Sequence, residues 1–462
     1  MAKRLQCISP IDGSVYVERD YASDAEVEAA LERAATAQRD WRATPLDQRI
    51  AVLSDAVDRL VAERESVGEE IARSMGRPVA AAPKEADIFA ERARYMLQVA
   101  PEELADIPVA DDAGKRQFLR REPVGVALIV VPWNYPYMTA VNAVWPALAA
   151  GNAVLHKPSA QTPVSAERFA RVLQEAGLPA GVFQALHLDR GTTSRLVSDR
   201  RIGFVGFTGS VEGGRAMQQA ADGNFPSMGL ELGGKDPAYV RADADLAQAV
   251  DGTVDGAFFN SGQSCCGIER VYVHADVYDD FVARFVETVR GFELDDPMQP
   301  GTSLGPMVRT AAADAVRRQV EAAVQAGATA HIDPAGFPKA QVGTPYLAPQ
   351  VLTDVDHTMS VMRDETFGPV AGIMKVKDDA EAVRLMNDSP FGLTASIWSR
   401  DLEAAQRIGD QVETGTVFAN KADYLDPALA WVGVKDSGRG CTLSRLGYGP
   451  LTRPKSFNLH RV

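Results

Sequence analysis

Thiols and imidazoles are scarce in this 462-residue chain. Its four cysteines, Cys7, Cys265, Cys266 and Cys441, are too few to staple a protein of this length, and they read as inert or catalytic thiols in a reducing compartment. Its six histidines show no close ligand spacing with one another or with the cysteines, so no metal site is expected. Long apolar runs are missing: the strongest, VGVALIVVPW at 124–133, is about half of the ~20 residues a spanning helix needs. The opening residues MAKRLQCISPIDGS carry two basic residues with no apolar segment behind them. No secretory signal, no membrane partner and a cytoplasmic location are therefore expected. Basic excess is missing as well, since 48 Lys and Arg against 62 Asp and Glu leave a net charge of −14, which argues against nucleic acid as a partner.

What is present reads as a closely packed multidomain protein. The length exceeds what one core usually organises, and 24% charged with 46% hydrophobic residues is ordinary globular composition. From Ser23 to Gly76 the pattern predicts two amphipathic helices, the first opened by SDAE, where Ser23 and Glu26 can form a capping box. Pro123 separates an extended polar run from a β-branched strand, after which strand-like and helical runs alternate. That βαβ rhythm predicts an α/β fold with a mostly parallel sheet of the kind that holds a nucleotide cofactor. A second α/β region begins near 234 and runs to about 440, with helices around 244–260, 276–292 and 310–326. The tail RPKSFNLHRV reads as a strand with no obvious local partner, available to another subunit's sheet.

Two pattern matches are rejected on context. GLELGGK at 229–235 has the Gly and Lys spacing of a phosphate loop, but Asp236 stands where Ser or Thr should hold magnesium. GTSLG at 301–305 follows the loop DDPMQPG instead of the strand a nucleophile elbow requires.

Three residues keep their interest. Cys265, in NSGQSCCGIER, lies in a loop opened by Ser261, Gly262 and Gln263, where a backbone N–H and some exposure would favour thiolate; a buried inert thiol is the competing reading. Glu231 stands between Gly229 and Gly233, an odd setting for a solvated carboxylate. Asn134, in PWNYP, falls at the C-terminal end of a strand, where open α/β sheets place ligands, although Asn is also a common turn residue.

Together with KPS, FTGS, ETFGPV and FGLTASIW, these motifs resemble those of the NAD(P)-dependent aldehyde dehydrogenases over essentially the whole chain, including the 34-residue interval from Glu231 to Cys265. The resemblance implies a Rossmann-type cofactor domain from 1–105 and 124–233, a catalytic domain from 234–440, and an oligomerisation element from 106–123 and 441–462, in a homodimer or homotetramer. It implies Cys265 as nucleophile, Glu231 as general base and Asn134 as oxyanion donor, with Cys266 a bystander at the tunnel mouth or, alternatively, the partner of a reversible disulfide. For NAD or NADP it implies Trp133, Lys157, Ser159, Gly209, Ser210, Glu365 and Phe367. Ala160 fills the position where strongly NAD-selective members carry glutamate, so NADP is expected to be accepted.

For the aldehyde, the same alignment implies a tunnel of Tyr135, Met138, Asn142 and Phe259, with Ser264, Cys266, Tyr424 and Trp431. Asp423, Tyr424, Asp426 and Trp431 admit two readings, attraction of cationic ω-aminoaldehydes or turn-capping acids around a tunnel for apolar and aromatic aldehydes. Two other activities compete: a coenzyme A-acylating relative, against which Glu231 argues, and a catalytically silent binding protein, against which Cys265, Asn134 and Glu231 argue together.

Overall fold

The structure, a computed structural model, describes residues 4–422 and 424–461; Asp423 lies outside the described residues. Its fold is the α/β arrangement that the alternation predicts, and two main sheets carry it. The first has the strand order Gly438–Arg439, Ser227–Glu231, Ile202–Thr208, Val126–Val130, Ala153–Lys157, Phe183–Ala185, parallel except for the first. Val126–Val130 is buried along its whole length because helices cover both faces. Its alternate residues divide between them: Ala127 and Ile129 join a core with Trp41, Phe89 and Trp145, while Val126, Leu128 and Val130 join one with Leu31, Leu196 and Met217.

The second sheet runs Thr329–Ala330, Gln350–Thr353, Val370–Val376, Ile268–His274, Asp236–Val240, Thr394–Trp398, Thr416–Ala419, again parallel apart from its first strand. The chain crosses between the sheets at 232–235, inside the GLELGGK stretch. Its glycines answer to close approach and not to phosphate. A Cβ on Gly234 would lie 2.1 Å from the Cys265 carbonyl oxygen, and one on Gly233 would lie 2.5 Å from Glu365 Oε1.

Two expectations need correction. The stretch from Ser23 to Gly76 holds three helices, Asp24–Ala43, Leu46–Ala62 and Arg64–Met75. The capping box at Ser23 and the left-handed stop at Gly76 are present, but Glu63 leaves helical geometry where its carboxylate reaches Arg168 and Arg171, contacts over a hundred residues away that no local pattern announces. The C-terminal strand Thr452–His460 does have a partner within the chain. It pairs antiparallel with Lys115–Pro123 from Thr452↔Pro123 to His460↔Lys115, and Ile107–Asp111 completes a three-stranded sheet. Phe118 and Phe457 stack across that pairing at 4.5 Å. Among the described residues no helix is long and apolar enough to cross a membrane.

Candidate active site

The helix Leu246–Phe258 ends in a tight turn over Phe259–Gly262 in which Asn260, Ser261 and Gly262 take φ of 55°, 56° and 68°. For the two non-glycine residues that conformation costs about 1–2 kcal/mol each, so the surroundings must hold it. Ser261 Oγ donates to Gly305 O at 2.8 Å, Gln263 Nε2 donates to Asn260 O at 3.1 Å, and Gln263 Oε1 accepts from Val308 N at 2.8 Å. The fixed turn delivers Cys265, half-buried, to the wall of a cavity of about 170 Å³. Cys266 is buried instead, packed with Leu393, Trp431 and Leu443, its Sγ 3.6 Å from Ser264 Oγ; all four cysteines are free thiols.

Glu231, the last residue of its strand, lines the same cavity. Thr208 Oγ1 donates to its Oε2 at 2.9 Å and Thr442 Oγ1 to its Oε1 at 2.5 Å. Burial raises the carboxyl above the usual range, and the two hydroxyls, with the positive charge of Arg92, pull it back. Asn134 is 3% exposed and is not part of the cavity lining. Its Nδ2 donates to Gln263 O at 3.1 Å, two residues before Cys265.

The eight residues expected at a tunnel line this one cavity: Tyr135, Met138, Asn142, Phe259, Ser264, Cys266, Tyr424 and Trp431. Ile88, Leu425 and Thr139 extend its wall, and Arg92 and Asp255 add charge. Two of the groups read as attractive to a cation, Tyr424 and Asp426, are engaged. Lys421 Nζ sits 3.6 Å from the Tyr424 ring centre, the Tyr424 hydroxyl donates to Glu91 at 2.7 Å, and exposed Asp426 caps a turn through Ala428 N.

Two adjoining cavities share Lys157 and Arg190. One, of about 260 Å³, includes Ser210 and Gly213; Ser210 caps the helix Val211–Ala220, accepting from Gly213 N at 3.2 Å, and Gly209 N donates to Glu231 O at 3.0 Å. The other, of about 580 Å³, is lined by Trp133, Ser159, Ala160, Gln161 and Arg309, and its one acid, Asp189, caps the next helix through Thr192 N. Three cations, Lys157, Arg190 and Arg309, with a helix N-terminus and small polar side chains, fit the pyrophosphate and ribose of a dinucleotide. Burial, with Arg190 nearby, lowers the Lys157 ammonium.

Phe367 meets Trp133 edge to face at 5.7 Å, and Glu365 Oε1 accepts from Gly234 N at 2.9 Å. Burial and the charge of Glu269 push the Glu365 carboxyl up to about 7. The loop that carries both is pinned by a residue inside NSGQSCCGIER to which the motif reading gives no role. Buried Glu269 accepts from Thr366 N and Phe367 N and is paired with Lys235, which also donates to Thr366 Oγ1 at 2.9 Å. Sequence reasoning also passed over Thr442, Thr208, Arg77 and Glu85. Only Thr208 carried a signal, its place inside FTGS.

The model of the aldehyde dehydrogenase family matches residues 1–457. A succinate-semialdehyde dehydrogenase [NADP(+)] of Mycobacterium avium is 38% identical over 95% of this chain and 93% of its own length. A vanillin dehydrogenase of Corynebacterium glutamicum is 34% identical over 94% and 89%. The crystal structure of succinic semialdehyde dehydrogenase from Streptococcus pyogenes in complex with NADP+ superposes with a TM-score of 0.94 at 30% identity, covering 99% of this chain and all of the other. A match of this extent, on a chain that brings a free thiol and a hydrogen-bonded carboxylate to one cavity, means that the protein belongs to the aldehyde dehydrogenase family.

Proposed function

We propose that, in oxidising its aldehyde with NAD(P)+, the chain uses Cys265 as nucleophile, Asn134 as oxyanion donor and Glu231 as the base that activates water. The observation that carries this reading is the meeting on the wall of one cavity of Glu231, at the end of a strand of the first sheet, and Cys265, in the loop that leads into the second. The Cys265 thiolate attacks the carbonyl carbon, forming a C–S bond and moving the π pair onto oxygen, where the Asn134 amide and the Cys265 backbone N–H stabilise it. Bound NAD(P)+ supplies the acceptor for the hydride that leaves as the C=O bond reforms. The thioester left on Cys265 is then cleaved by water, Glu231 taking the proton, and acid and thiolate separate. Two hydroxyl donors on Glu231 favour this hydrolytic ending over transfer to coenzyme A.

Because Glu231 must be ionised to accept that proton, hydrolysis fails as pH falls through its raised pKa, and each lost donor raises that pKa further. T442V is expected to move the acid limb of kcat to higher pH and to cost about tenfold on that limb, near 1.5 kcal/mol for a hydrogen bond to a charged group. T442S should restore the profile. An unchanged acid limb in T442V would remove the hydroxyl from the account.

For the cofactor we infer that NADP+ is accepted, with Lys157 and Ser159 toward the 2′-phosphate and Arg190 adding charge, since Ala160 offers no carboxylate to repel it. Steady-state kcat/KM should be at least comparable for the two nicotinamides, and a thousandfold preference for NAD+ would refute this. For the substrate, Ile88, Tyr135, Met138, Phe259, Leu425 and Trp431 support an aromatic or medium apolar aldehyde, whereas Arg92 on the same wall is the observation that favours a semialdehyde carrying a carboxylate. Assays of benzaldehyde, hexanal, succinic semialdehyde and 4-aminobutanal side by side should leave the amine at least tenfold behind in kcat/KM. A lead for succinic semialdehyde would select the second reading. We propose homo-oligomerisation through the three-stranded sheet, whose outer strand Thr452–His460 has a free edge among the described residues.

A further inference from the structure

Arg77 lies outside the motifs quoted above, yet its guanidinium, 2% exposed, touches both the residue proposed as oxyanion donor and the turn that leads to the reacting thiol. Nε donates to Asn260 Oδ1 at 3.1 Å, one terminal nitrogen to Glu85 Oε2 at 2.5 Å, and the other to Asn134 O. Its Cζ lies 4.4 Å from the centre of the Tyr135 ring. Glu85, fully buried at its carboxylate, neutralises the charge, and its Oε1 accepts from Tyr137 N at 2.8 Å and Met138 N at 3.3 Å, the first free N–H groups of the helix Pro136–Ala149 that follows Asn134.

The network closes on itself. Asn260 Nδ2 donates to Gln263 O at 3.2 Å and approaches Asn134 O at 3.4 Å, while Asn134 Nδ2 donates to the same Gln263 O. Arg77 therefore joins the loop after Val126–Val130, which bears Asn134, to the left-handed turn that leads to Cys265. One N–H of the Asn134 amide is spent on Gln263 O, and its remaining N–H has a direction only as long as both ends of this ring are fixed.

We infer that Arg77, charge-balanced by Glu85, is the positioning residue of the oxyanion hole, setting the Asn134 amide against the Cys265 loop by a three-way guanidinium fork that lysine cannot reproduce. The inference rests on the reading of Asn134 as oxyanion donor. A hole donor contributes about 10²–10³ in rate, so a loosened one should forfeit much of that and leave the cofactor groove untouched.

The test is a double-mutant cycle on single-turnover NADPH formation with R77K, N134A and the pair, alongside thermal melting. R77K is expected to lower the acylation rate about 30–100-fold with KM for NADP+ within about twofold of wild type. The double variant should be no slower than N134A within about threefold. Multiplying losses, or R77K at the wild-type rate, would overturn the inference while leaving Asn134 its role. N134A at the wild-type rate would instead remove the oxyanion reading, and the inference with it. If R77K does not fold, N260G takes its place: it deletes an acceptor of Arg77 in a left-handed turn that glycine accepts freely, and the same non-additivity with N134A is required.

Discussion

C265A is expected to stop aldehyde oxidation, with kcat/KM at least about 10⁴-fold below wild type, because a covalent route loses its attacking atom and no other group at the cavity replaces it. The neighbouring thiol supplies the control. Cys266 is buried among Leu393, Trp431 and Leu443, so C266A should cost stability through a small cavity while turnover stays within about tenfold. NADP+ binding, followed by fluorescence, should persist in C265A, which separates a lost nucleophile from a lost fold. Iodoacetamide should inactivate the wild-type enzyme at Cys265, and bound NAD+ should slow the reaction. Turnover undiminished in C265A ends the covalent reading, and a wild-type preparation that is inactive before alkylation points to a silent member of the family.

How far this site could be read from sequence depends on how local each part is. The central strands of the first sheet, Val126–Val130 and Ala153–Lys157, announce themselves as short apolar runs because both faces are covered, and Cys265, Glu231 and Asn134 each lie inside a contiguous motif. What stayed hidden is made by contacts across hundreds of residues. Thr442 meets Glu231 from a segment 211 positions away, Arg77 meets Asn260 across 183, and the C-terminal strand finds Lys115–Pro123 across more than 300. No periodicity encodes such meetings. The break at Glu63 is of the same kind, a helix interrupted by arginines that the fold brings to it. The cationic reading of the tunnel mouth weakens for a related reason: composition shows acids and aromatics near 424, and only coordinates show Lys421 already covering the Tyr424 ring.

E231Q should separate the two halves of the reaction. The amide keeps the shape of the side chain, its oxygen accepting from one threonine hydroxyl while its NH2 donates to the oxygen of the other, so attack by Cys265 and loss of hydride should proceed near the wild-type rate. It cannot take a proton from water, and the thioester should accumulate. Mixing the variant with aldehyde and NADP+ should give a burst of about one NADPH per site and then a steady state slower by about 10²–10⁴-fold, the usual contribution of a general base. Mass spectrometry of the quenched protein should find the acyl group on Cys265. If coenzyme A then discharges that thioester at the wild-type rate, the chain belongs with the acylating relatives and its carboxylate has another purpose. If E231Q forms even its first NADPH slowly, with no burst, Glu231 serves the first chemical step; if it turns over without a stall, Glu231 is not the base, and in either case the assignment of its two hydroxyl partners to water activation fails.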